Sequence, residues 1–283
     1  MRLGTFSPRR FLHLFGAGAL AGLTLLGPLV PAAWAQPVRV GGTGSALEVM
    51  RQLGEAHRLA EPQFELTVVP NLGSSGGMRA LAAGAIEAAL VTRELTEEER
   101  RAGLTGVAYG RTPVVLATSR QAAAGFSARQ VEEIYAGRQE RWPDGLAIRL
   151  VLRPLSDVDT RVLGGLSARM PEILKQAAAR PGMLVPVTDQ DSANDLARLP
   201  GSLGTSSLAL LLAEKRGLTI LPIDGVMPSA RTVADGSYPL AKTMFIVYRG
   251  DAPAQLRRYI DFLKSPRARA LLEQTGHWVP PAR

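Results

Sequence analysis

The sequence predicts an α/β fold in which mixed, mostly parallel sheets are flanked by helices. From residue 38 onward, short β-branched segments alternate with segments whose apolar residues recur at helical spacing, a pattern typical of strand–helix–strand units. The chain has 283 residues, 46% of them hydrophobic, which is enough for one large core or two smaller ones. It contains no cysteine, so disulfides, thiol nucleophiles and zinc–thiolate sites are excluded.

The predicted elements alternate along the chain. Strands are expected at short apolar or β-branched runs bounded by turn residues, which cover 38–40, 64–69, 86–91, 114–117, 148–152, 183–187, 202–204, 218–221 and 244–248. Helices are expected where apolar residues recur every three or four positions, over 46–60, 78–85, 160–179 (interrupted near Pro171), 189–199, 207–215 and 252–273. The capping residues Thr96 and Ser127 begin two more helices.

The first 35 residues predict a signal peptide that is cleaved after Ala35. Three arginines precede an apolar run over 11–30, and Ala33-Trp34-Ala35 has the small-x-small pattern of a cleavage site. A permanent membrane anchor is the alternative, because the run is nearly long enough to span a bilayer. Its glycines and Pro28 disfavour that alternative, and Arg9-Arg10 leaves the choice between Sec and twin-arginine export open.

The residues after position 35 predict a soluble, exported protein. Cleavage removes three arginines and no acidic residue, which lowers the formal net charge from +8 to +5. Basic residues are scattered among acidic ones rather than concentrated in a stripe, which argues against nucleic-acid binding. No further apolar stretch reaches spanning length, and no cysteine is present for an N-terminal lipid. We therefore expect a freely diffusing periplasmic protein.

Three predicted strand ends lead through turns rich in Gly, Ser and Thr into helices. They lie at Gly42–Ser45, Gly73–Gly76 and Ser156–Thr160. Such a turn offers hydroxyl donors and free backbone N–H groups at the positive end of a helix, which favours anions. A single turn is more simply explained by ordinary helix capping. Ligands of open α/β sheets, however, bind beyond the carboxyl ends of the strands, where all three turns fall.

Residues 71–87 resemble the glycine–serine turn and following helix of the phosphate-binding proteins of ABC transporters. Residues 91–95 are similar to the next strand end of that family, and residues 235–240 to its return strand. The resemblance implies a two-lobed type II periplasmic binding fold, in which an anion is held between the lobes.

The resemblance also implies how the lobes are divided and which residues bind the anion. The first lobe would cover 36–117 and 232–283, and the second would cover 118–231. Contacts would come from the predicted turns, one strand end and one basic residue, namely Thr43, Gly44, Ser45, Ser74, Ser75, Gly76, Thr92, Arg153, Ser156 and Thr160. Arg153 would supply the opposing charge. No catalytic residue, metal or cofactor is implied.

The segment after Arg153 departs from the family pattern. Family members usually carry Ser-Gly-Thr before the helix, whereas this chain has Ser-Asp-Val-Asp-Thr over 156–160. A carboxylate beside a bound dianion costs free energy unless it accepts a proton from the ligand. Asp157 and Asp159 are therefore expected either to accept such a proton or to point to solvent at the helix N-terminus. The departure leaves the identity of the anion open.

Other polar residues have simpler expected roles. Arg93 is expected to pair with Glu94 or another nearby acid rather than to steer anions. Residues 189–192 have alternating acids but lack the remainder of a calcium loop. They are therefore expected to cap a helix.

The expected function is capture of phosphate or a related oxyanion by a monomer that delivers it to an ABC transporter permease. The same fold with a different ligand, or acting as a scavenger or sensor, is a second interpretation. A secreted serine hydrolase is a third, because Gly73–Gly77 matches Gly-x-Ser-x-Gly with Ser75 as nucleophile and His277 lies late enough to be the base. His277 is more simply expected to pack the C-terminal segment.

Overall fold

The computed structural model describes residues 36–121 and 123–280. The predicted signal peptide, residues 1–35, lies outside the described residues. The described strands are β1 (Val38–Gly42), β2 (Leu66–Val69), β3 (Ala88–Val91), β4 (Leu104–Thr118), β5 (Arg149–Val151), β6 (Ser202–Ser207), β7 (Thr219–Leu221) and β8 (Ala241–Arg249). The described helices are α1 (Gly44–Arg58), α2 (Gly73–Ala82), α3 (Glu97–Arg101), α4 (Ala128–Tyr135), α5 (Val158–Gly164), α6 (Met170–Ala178), α7 (Asp189–Arg198), α8 (Leu208–Ala213), α9 (Ala230–Ala234), α10 (Ala254–Phe262) and α11 (Pro266–Gln274). Within these ranges, no helix combines the length and the apolar character needed to cross a membrane.

The described strands form two sheet sections that share the long strand β4. Their order is β2-β1-β3-β8-β4-β6-β5, and β7 also pairs with β4. The first part of β4, up to Pro113, pairs with β8. The last part, from Val114 onward, pairs with β6 and β7 instead. The chain therefore passes from the first section to the second in the middle of one strand.

Parallel pairing is less common than the sequence predicts. Three of the described strand pairs are parallel, and four are antiparallel. The prediction of mostly parallel sheets is therefore corrected to a mixed arrangement. All four antiparallel pairs contain β4 or β8, because the chain leaves the first section on β4 and returns to it on β8 in the opposite direction. Strand–helix alternation predicts parallel crossovers. It does not indicate that a strand such as β4 passes from one sheet section to the other.

Each sheet section has its own hydrophobic core, with helices on both faces. In the first section, α1, α10 and α11 cover one face around Met50, and α2 covers the other around Leu81. In the second section, α4, α5 and α6 pack on one face around Leu163, and α7 and α8 pack on the other around Leu196. The two sections therefore have separate hydrophobic clusters and share the strand β4.

Two predicted helices have different boundaries for local reasons. The Gly/Ser turn at 71–77 is largely the first turn of α2, which begins at Gly73. The predicted helix over 252–273 is broken into α10 and α11. Ser265 caps α11 by accepting a hydrogen bond from the backbone of that helix, and Pro266 lies at its first position.

Three predicted strand boundaries also differ. Residues 183–187 contribute only an isolated bridge at Leu184 rather than a strand. Residues 235–240, which resemble the return strand of the family, precede the strand, and β8 begins at Ala241. The strand β4 begins at Leu104, ten residues before the predicted start. Its first part mixes polar and apolar residues and is partly exposed, so it lacks the continuous apolar run on which the prediction relied.

Although α1 and α2 lie on opposite faces of the first sheet section, their N-termini lie close together. A Cβ atom on Gly77 would lie 2.9 Å from the backbone of both Gly41 and Gly42, so α2 packs directly on β1. Since β1 and β2 are parallel and each leads into its helix, the N-termini of α1 and α2 lie at the same edge of the sheet.

Candidate anion-binding site

A cavity of about 320 Å³ lies where the N-termini of α1 and α2 face the β5–α5 segment and the start of α7. Eight of the ten residues predicted to bind the anion line it, namely Thr43, Gly44, Ser74, Ser75, Gly76, Thr92, Arg153 and Ser156. The structure thus brings the three turns identified from the sequence to one space, with both sheet sections contributing to its walls.

The side chains of the other two predicted residues lie outside this cavity. Ser45 is buried below it, where its hydroxyl oxygen accepts a hydrogen bond from Lys242 Nζ at 2.9 Å. The hydroxyl of Thr160 donates to the backbone carbonyl oxygen of Arg153 at 3.3 Å. These two hydroxyls hold neighbouring parts of the site in place rather than facing the cavity.

The N-terminus of α2 is an open set of donors. Ser74 and Ser75 line the cavity, and their hydroxyls make no hydrogen bond to any described residue. The first N–H groups of a helix have no partner within the helix and carry partial positive charge. Arg79 and Arg161 are exposed and also line the cavity, so they add two positive charges to its solvent-facing wall.

The N-terminus of α1, in contrast, is occupied by a carboxylate of the protein itself. Asp189 Oδ2 accepts hydrogen bonds from the Ser45 backbone N–H at 3.0 Å and from the Thr43 hydroxyl at 3.3 Å. The expectation that residues 189–192 cap a helix is wrong for Asp189, because Thr188 is the N-cap residue of α7 and accepts from the Asp191 backbone N–H. Asp189 instead joins α7 to α1.

Arg153 is buried in the cavity wall, with its side chain only 3% exposed. Its Nη1 donates to two backbone carbonyl oxygens, at Pro186 and Thr188. Its Nη2 donates to Asp157 at 2.8 Å and to Asp189 at 3.3 Å. Burial alone would lower the pKa of Arg153, but Asp189, Asp157 and Asp159 more than offset that and raise it. Among the described residues, Nε has no hydrogen-bond partner.

Asp159 and Lys242 form a buried ion pair beneath the cavity. Lys242 Nζ lies 2.5 Å from Asp159 Oδ1, and the two side chains are 2% and 1% exposed. Burial raises the pKa of Asp159 to about 6, with Lys242 opposing the rise and Asp157 and Asp189 adding to it. Burial lowers the pKa of Lys242, but Asp159 and Asp189 more than offset this, so the pKa of Lys242 is raised.

The alternative that Asp157 and Asp159 both point to solvent is therefore wrong. Asp159 faces Lys242 in the interior. Asp157 caps α5 by accepting from the Asp159 backbone N–H at 2.8 Å, and its other oxygen is held by Arg153. Both acids are already engaged by cations of the same site.

The cluster around the cavity wall contains three carboxylates and two cations. Asp157, Asp159 and Asp189 face Arg153 and Lys242. Full ionisation would leave the cluster with one more negative than positive charge. The carboxylates do not form a metal site, since no metal-binding group of three or more His, Asp or Glu residues occurs in the part of the chain that the structure describes.

Arg93 has the expected structural role. It donates to both carboxylate oxygens of Glu99, at 2.8 and 2.6 Å, and to the backbone carbonyl oxygen of Glu94. The hydrogen bond from Arg93 is the main cause that lowers the pKa of Glu99 to about 2. The prediction that Thr96 begins a helix is confirmed, and its side chain forms a reciprocal capping box with Glu99. Arg93 thus lies at the cavity with its charge already paired.

The two described histidines lie in apolar surroundings. His57 packs against Phe64 and Phe262. His277 is fully buried beside Tyr109, and burial lowers its pKa to about 4. Neither histidine lines the cavity that Ser75 lines. A nucleophilic role for Ser75 therefore lacks the nearby imidazole that a catalytic triad needs.

Two important members of the site, Lys242 and Asp189, were not assigned to it from the sequence. Lys242 begins a largely apolar strand, and a lone lysine in such a run is a weak signal for a buried ion pair. Asp189 gives no comparable signal, because an acid in the first turn of a helix is ordinary. Its approach to α1 depends on Gly44, where a Cβ atom would lie 2.8 Å from Asp189 Oδ2.

Two mixed sheet sections with separate cores, and a polar cavity lined by both, define the two-lobed type II periplasmic binding fold. A family model described as the PBP superfamily domain matches residues 30–267. The chain belongs to this superfamily.

Individual relatives agree with this assignment. The phosphate-binding protein PstS of Bacillus subtilis (strain 168) is 25% identical over 250 residues, which cover 84% of this chain and 79% of the relative. A Clostridium perfringens protein solved with bound phosphate has a TM-score of 0.71 at 19% identity, over 86% of this chain and 99% of that chain. The periplasmic molybdate-binding protein of Azotobacter vinelandii has a TM-score of 0.63 at 12% identity, over 86% and 99% of the two chains. The resemblance to phosphate-binding proteins seen in residues 71–95 is confirmed at the level of the family.

Proposed function

We propose that this chain is a solute-binding protein that captures an oxyanion, phosphate in the first place, and presents it to an ABC transporter permease. The observation that supports the proposal is the convergence of the α1 and α2 N-termini with Ser156 and Arg153 on one cavity. Each of these features alone is ordinary helix capping or salt bridging. Together they surround one space with donors and positive charge, which is what a small anion requires.

Phosphate is the first choice among oxyanions for two reasons. The curated relative is a phosphate-binding protein, and it matches most of this chain. The cavity also has Asp157 and Asp189 in its wall, and a carboxylate tolerates a bound anion better when that anion carries a proton to donate. Phosphate carries a proton near neutral pH, whereas sulfate does not.

The lobes are proposed to follow the two sheet sections. The first would contain β1, β2, β3 and β8, and the second β5, β6 and β7, with β4 crossing between them near Pro113. The return would lie near Ala241, where β8 begins opposite Pro113. These crossings lie within about ten residues of those implied by the sequence. Rotation about two strands is the hinge by which such a molecule closes on its ligand.

Export is proposed as part of the same function. Residues 1–35 would direct the chain across the membrane and be removed after Ala35, so that a diffusing protein begins at Gln36. The mass of the protein recovered from the periplasmic fraction tests this directly. A mass that includes the first 35 residues would mean that the segment stays attached as an anchor.

A non-catalytic role is proposed because the chain belongs to the PBP superfamily and because neither of the histidines that the structure describes, His57 and His277, lines the cavity with Ser75. A scavenger or sensor with the same cavity differs from a transport protein only in its partner. Genetic loss of phosphate uptake on deletion of this chain would favour transport, and normal uptake would favour scavenging or sensing. In both cases we expect a monomer that binds one anion.

The test of the proposed function is calorimetric titration of residues 36–283 in phosphate-free buffer with phosphate, sulfate, molybdate and a neutral sugar. We expect saturable binding of phosphate and none of the sugar. Saturation at about 100 times the dissociation constant should also stabilise the fold by about 2.7 kcal/mol in thermal unfolding. No binding of any of the three oxyanions would contradict the proposal.

A matched pair of variants assigns the binding to the cavity. Ser74→Ala and Ser75→Ala together remove two hydroxyls from the α2 N-terminus, and a hydrogen bond to a charged group contributes about 1.5–3 kcal/mol. We expect phosphate affinity to fall by about tenfold or more. Ser237→Ala, at an exposed turn that does not line the cavity, should leave the affinity unchanged. Equal affinities in all variants would place the binding elsewhere.

A further inference from the structure

Asp189 is held in place by groups that an incoming anion would also use. Its Oδ2 accepts from the Ser45 backbone N–H and from the Thr43 hydroxyl, which are donors at the start of α1. Its Oδ1 accepts from Arg153, the cation predicted to oppose the ligand. One carboxylate thus accepts hydrogen bonds from a helix N-terminus, a hydroxyl and a guanidinium at the same time.

Asp189 is not needed by the helix on which it lies. Thr188 caps α7 by accepting from the Asp191 backbone N–H, and Asp191 accepts in return from the Thr188 hydroxyl. The Asp189 side chain, which is 13% exposed, turns instead towards α1 of the other sheet section. Gln190 makes a second connection there by donating to the Gly44 carbonyl oxygen at 3.1 Å.

Gly44 permits this approach. A Cβ atom at that position would lie 2.3 Å from Gln190 Oε1 and 2.8 Å from both Asp189 Cβ and Asp189 Oδ2. Real Cβ atoms essentially never come this close to another atom, so a larger residue would force the two helix ends apart. The start of α1 therefore has the backbone shape that admits the Asp189 carboxylate.

We propose that the Asp189 carboxylate is an intramolecular substitute for the anion, which fills the α1 N-terminus in the ligand-free protein and sets the affinity by having to leave when the ligand binds. This inference rests on the proposed function. It makes Asp189 an affinity-determining residue that opposes binding, unlike Thr43 and Ser75, which would favour it.

Two physical effects predict that Asp189 lowers the affinity for phosphate. The apparent affinity for a ligand falls in proportion to the fraction of molecules whose site is free, and an internal carboxylate lowers that fraction. The cluster of Arg153 and Lys242 with Asp157, Asp159 and Asp189 already has excess negative charge when ionised, so a further anion is repelled. Removing the charge of Asp189 relieves the repulsion, and it also weakens the charge-assisted hydrogen bonds that hold this side chain at the α1 N-terminus.

The test compares Asp189→Asn with the wild-type protein by calorimetric titration with inorganic phosphate at one pH and ionic strength. Asparagine keeps the size of the side chain and an oxygen that accepts from Ser45, but removes the negative charge. We expect phosphate to bind at least tenfold more tightly, which corresponds to about 1.4 kcal/mol. Asp191→Asn is the matched control, because Asp191 is exposed on the same turn of α7 and does not line the cavity. It should change the affinity by less than about twofold.

A second measurement needs no ligand. If Asp189 links α7 to α1, Asp189→Ala should expand the ligand-free protein in small-angle X-ray scattering, and saturating phosphate should compact it again. Asp191→Ala should scatter like the wild-type protein. An Asp189→Ala protein as compact as the wild type would overturn the link.

The outcomes separate this inference from the proposed function. Phosphate binding by the wild type with equal or weaker binding by Asp189→Asn leaves the function standing and overturns the inference. Binding by Asp189→Asn alone supports the inference and contradicts phosphate capture by the natural chain. Absence of binding in both proteins contradicts the proposed function and overturns the inference with it.

Discussion

Arg153 and Lys242 are the two buried cations of the site, and both are paired with carboxylates of the protein itself. Arg153 is held by Asp157 and Asp189, and Lys242 by Asp159. A buried ion pair contributes little net stability relative to apolar residues, but breaking it leaves an uncompensated charge in the interior. At the residue scale, the site is therefore sensitive to the loss of either member of a pair.

Lys242→Met tests this sensitivity, because methionine fills similar volume and removes the charge. Asp159 would remain buried without a cation, and we expect the free energy of unfolding to fall by about 3–5 kcal/mol in urea denaturation. Lys264→Met, which removes an exposed pair with Asp261, should cost less than about 1 kcal/mol.

A second substitution separates the lost charge from altered packing. Adding Asp159→Asn to Lys242→Met removes the unpaired charge and should recover part of the lost stability. A loss of similar size in the Lys242 and Lys264 variants would show that the buried pair has no special role.

At the scale of single elements, the important feature is how closely α2 packs on β1. Gly76 and Gly77 are neighbours in the first turns of α2, and both belong to the segment that resembles the family. A Cβ atom on Gly77 would lie 2.9 Å from the Gly41 carbonyl oxygen and from Gly42 Cα, whereas on Gly76 the nearest atom would be a side-chain carbon at 3.5 Å. Only Gly77 is therefore required by packing.

Alanine substitutions at these two glycines should have opposite effects on the ligand-free protein. Gly76→Ala should raise the free energy of unfolding by about 0.5–1 kcal/mol, because alanine favours the helix. Gly77→Ala should lower it, because rigid backbone meets the new methyl group and α2 must move away from β1. Thermal and urea unfolding of the two proteins measure the signs. Stabilisation by both substitutions would show that α2 is free to shift.

At the scale of the whole molecule, the C-terminal segment closes the core of the first section. Trp278 exchanges two backbone hydrogen bonds with Arg111 of β4, at 2.7 and 2.8 Å. His277, next to it, is fully buried, with Nδ1 near the Leu272 carbonyl oxygen at 3.2 Å. The burial of an imidazole at this junction links protonation to global unfolding.

The pH dependence of stability follows from His277. Burial lowers its pKa from 6.5 to about 4, so between these values the unfolded chain binds a proton that the native protein does not. The free energy of unfolding therefore contains a contribution from neutral His277 that is fully present above pH 6.5. This contribution is lost as the pH falls towards 4, by about 3 kcal/mol in total. Asp159, whose pKa is raised to about 6, acts in the opposite direction over part of this range.

The comparison of wild type with His277→Gln isolates the histidine contribution. We expect the stability difference between the two proteins, measured by urea denaturation, to change in favour of the glutamine variant as the pH is lowered from 7 to 5. A constant difference across this range would show that His277 is accessible to protons in the native state.

The sequence by itself determined the local features of this protein. Strand–helix alternation, the capping box at Thr96, the Gly/Ser-rich starts of α1 and α2, and Arg153 after β5 are each specified by neighbouring residues. Their chemistry, taken together with the resemblance to phosphate-binding proteins, predicted an anion site, because helix ends and hydroxyls have the same properties in any fold. Eight of the ten residues predicted to bind the anion line the same cavity.

Only the tertiary structure decided which distant residues those local features contact. The pairing of Lys242 with Asp159, the contact of Asp189 with the α1 N-terminus, and the return of β8 antiparallel to β4 join residues that are far apart in the chain. An acid in the first turn of a helix has the same local pattern whether it faces solvent or another helix. Burial and long-range contact, which arise only when the two sheet sections pack together, give these residues their roles.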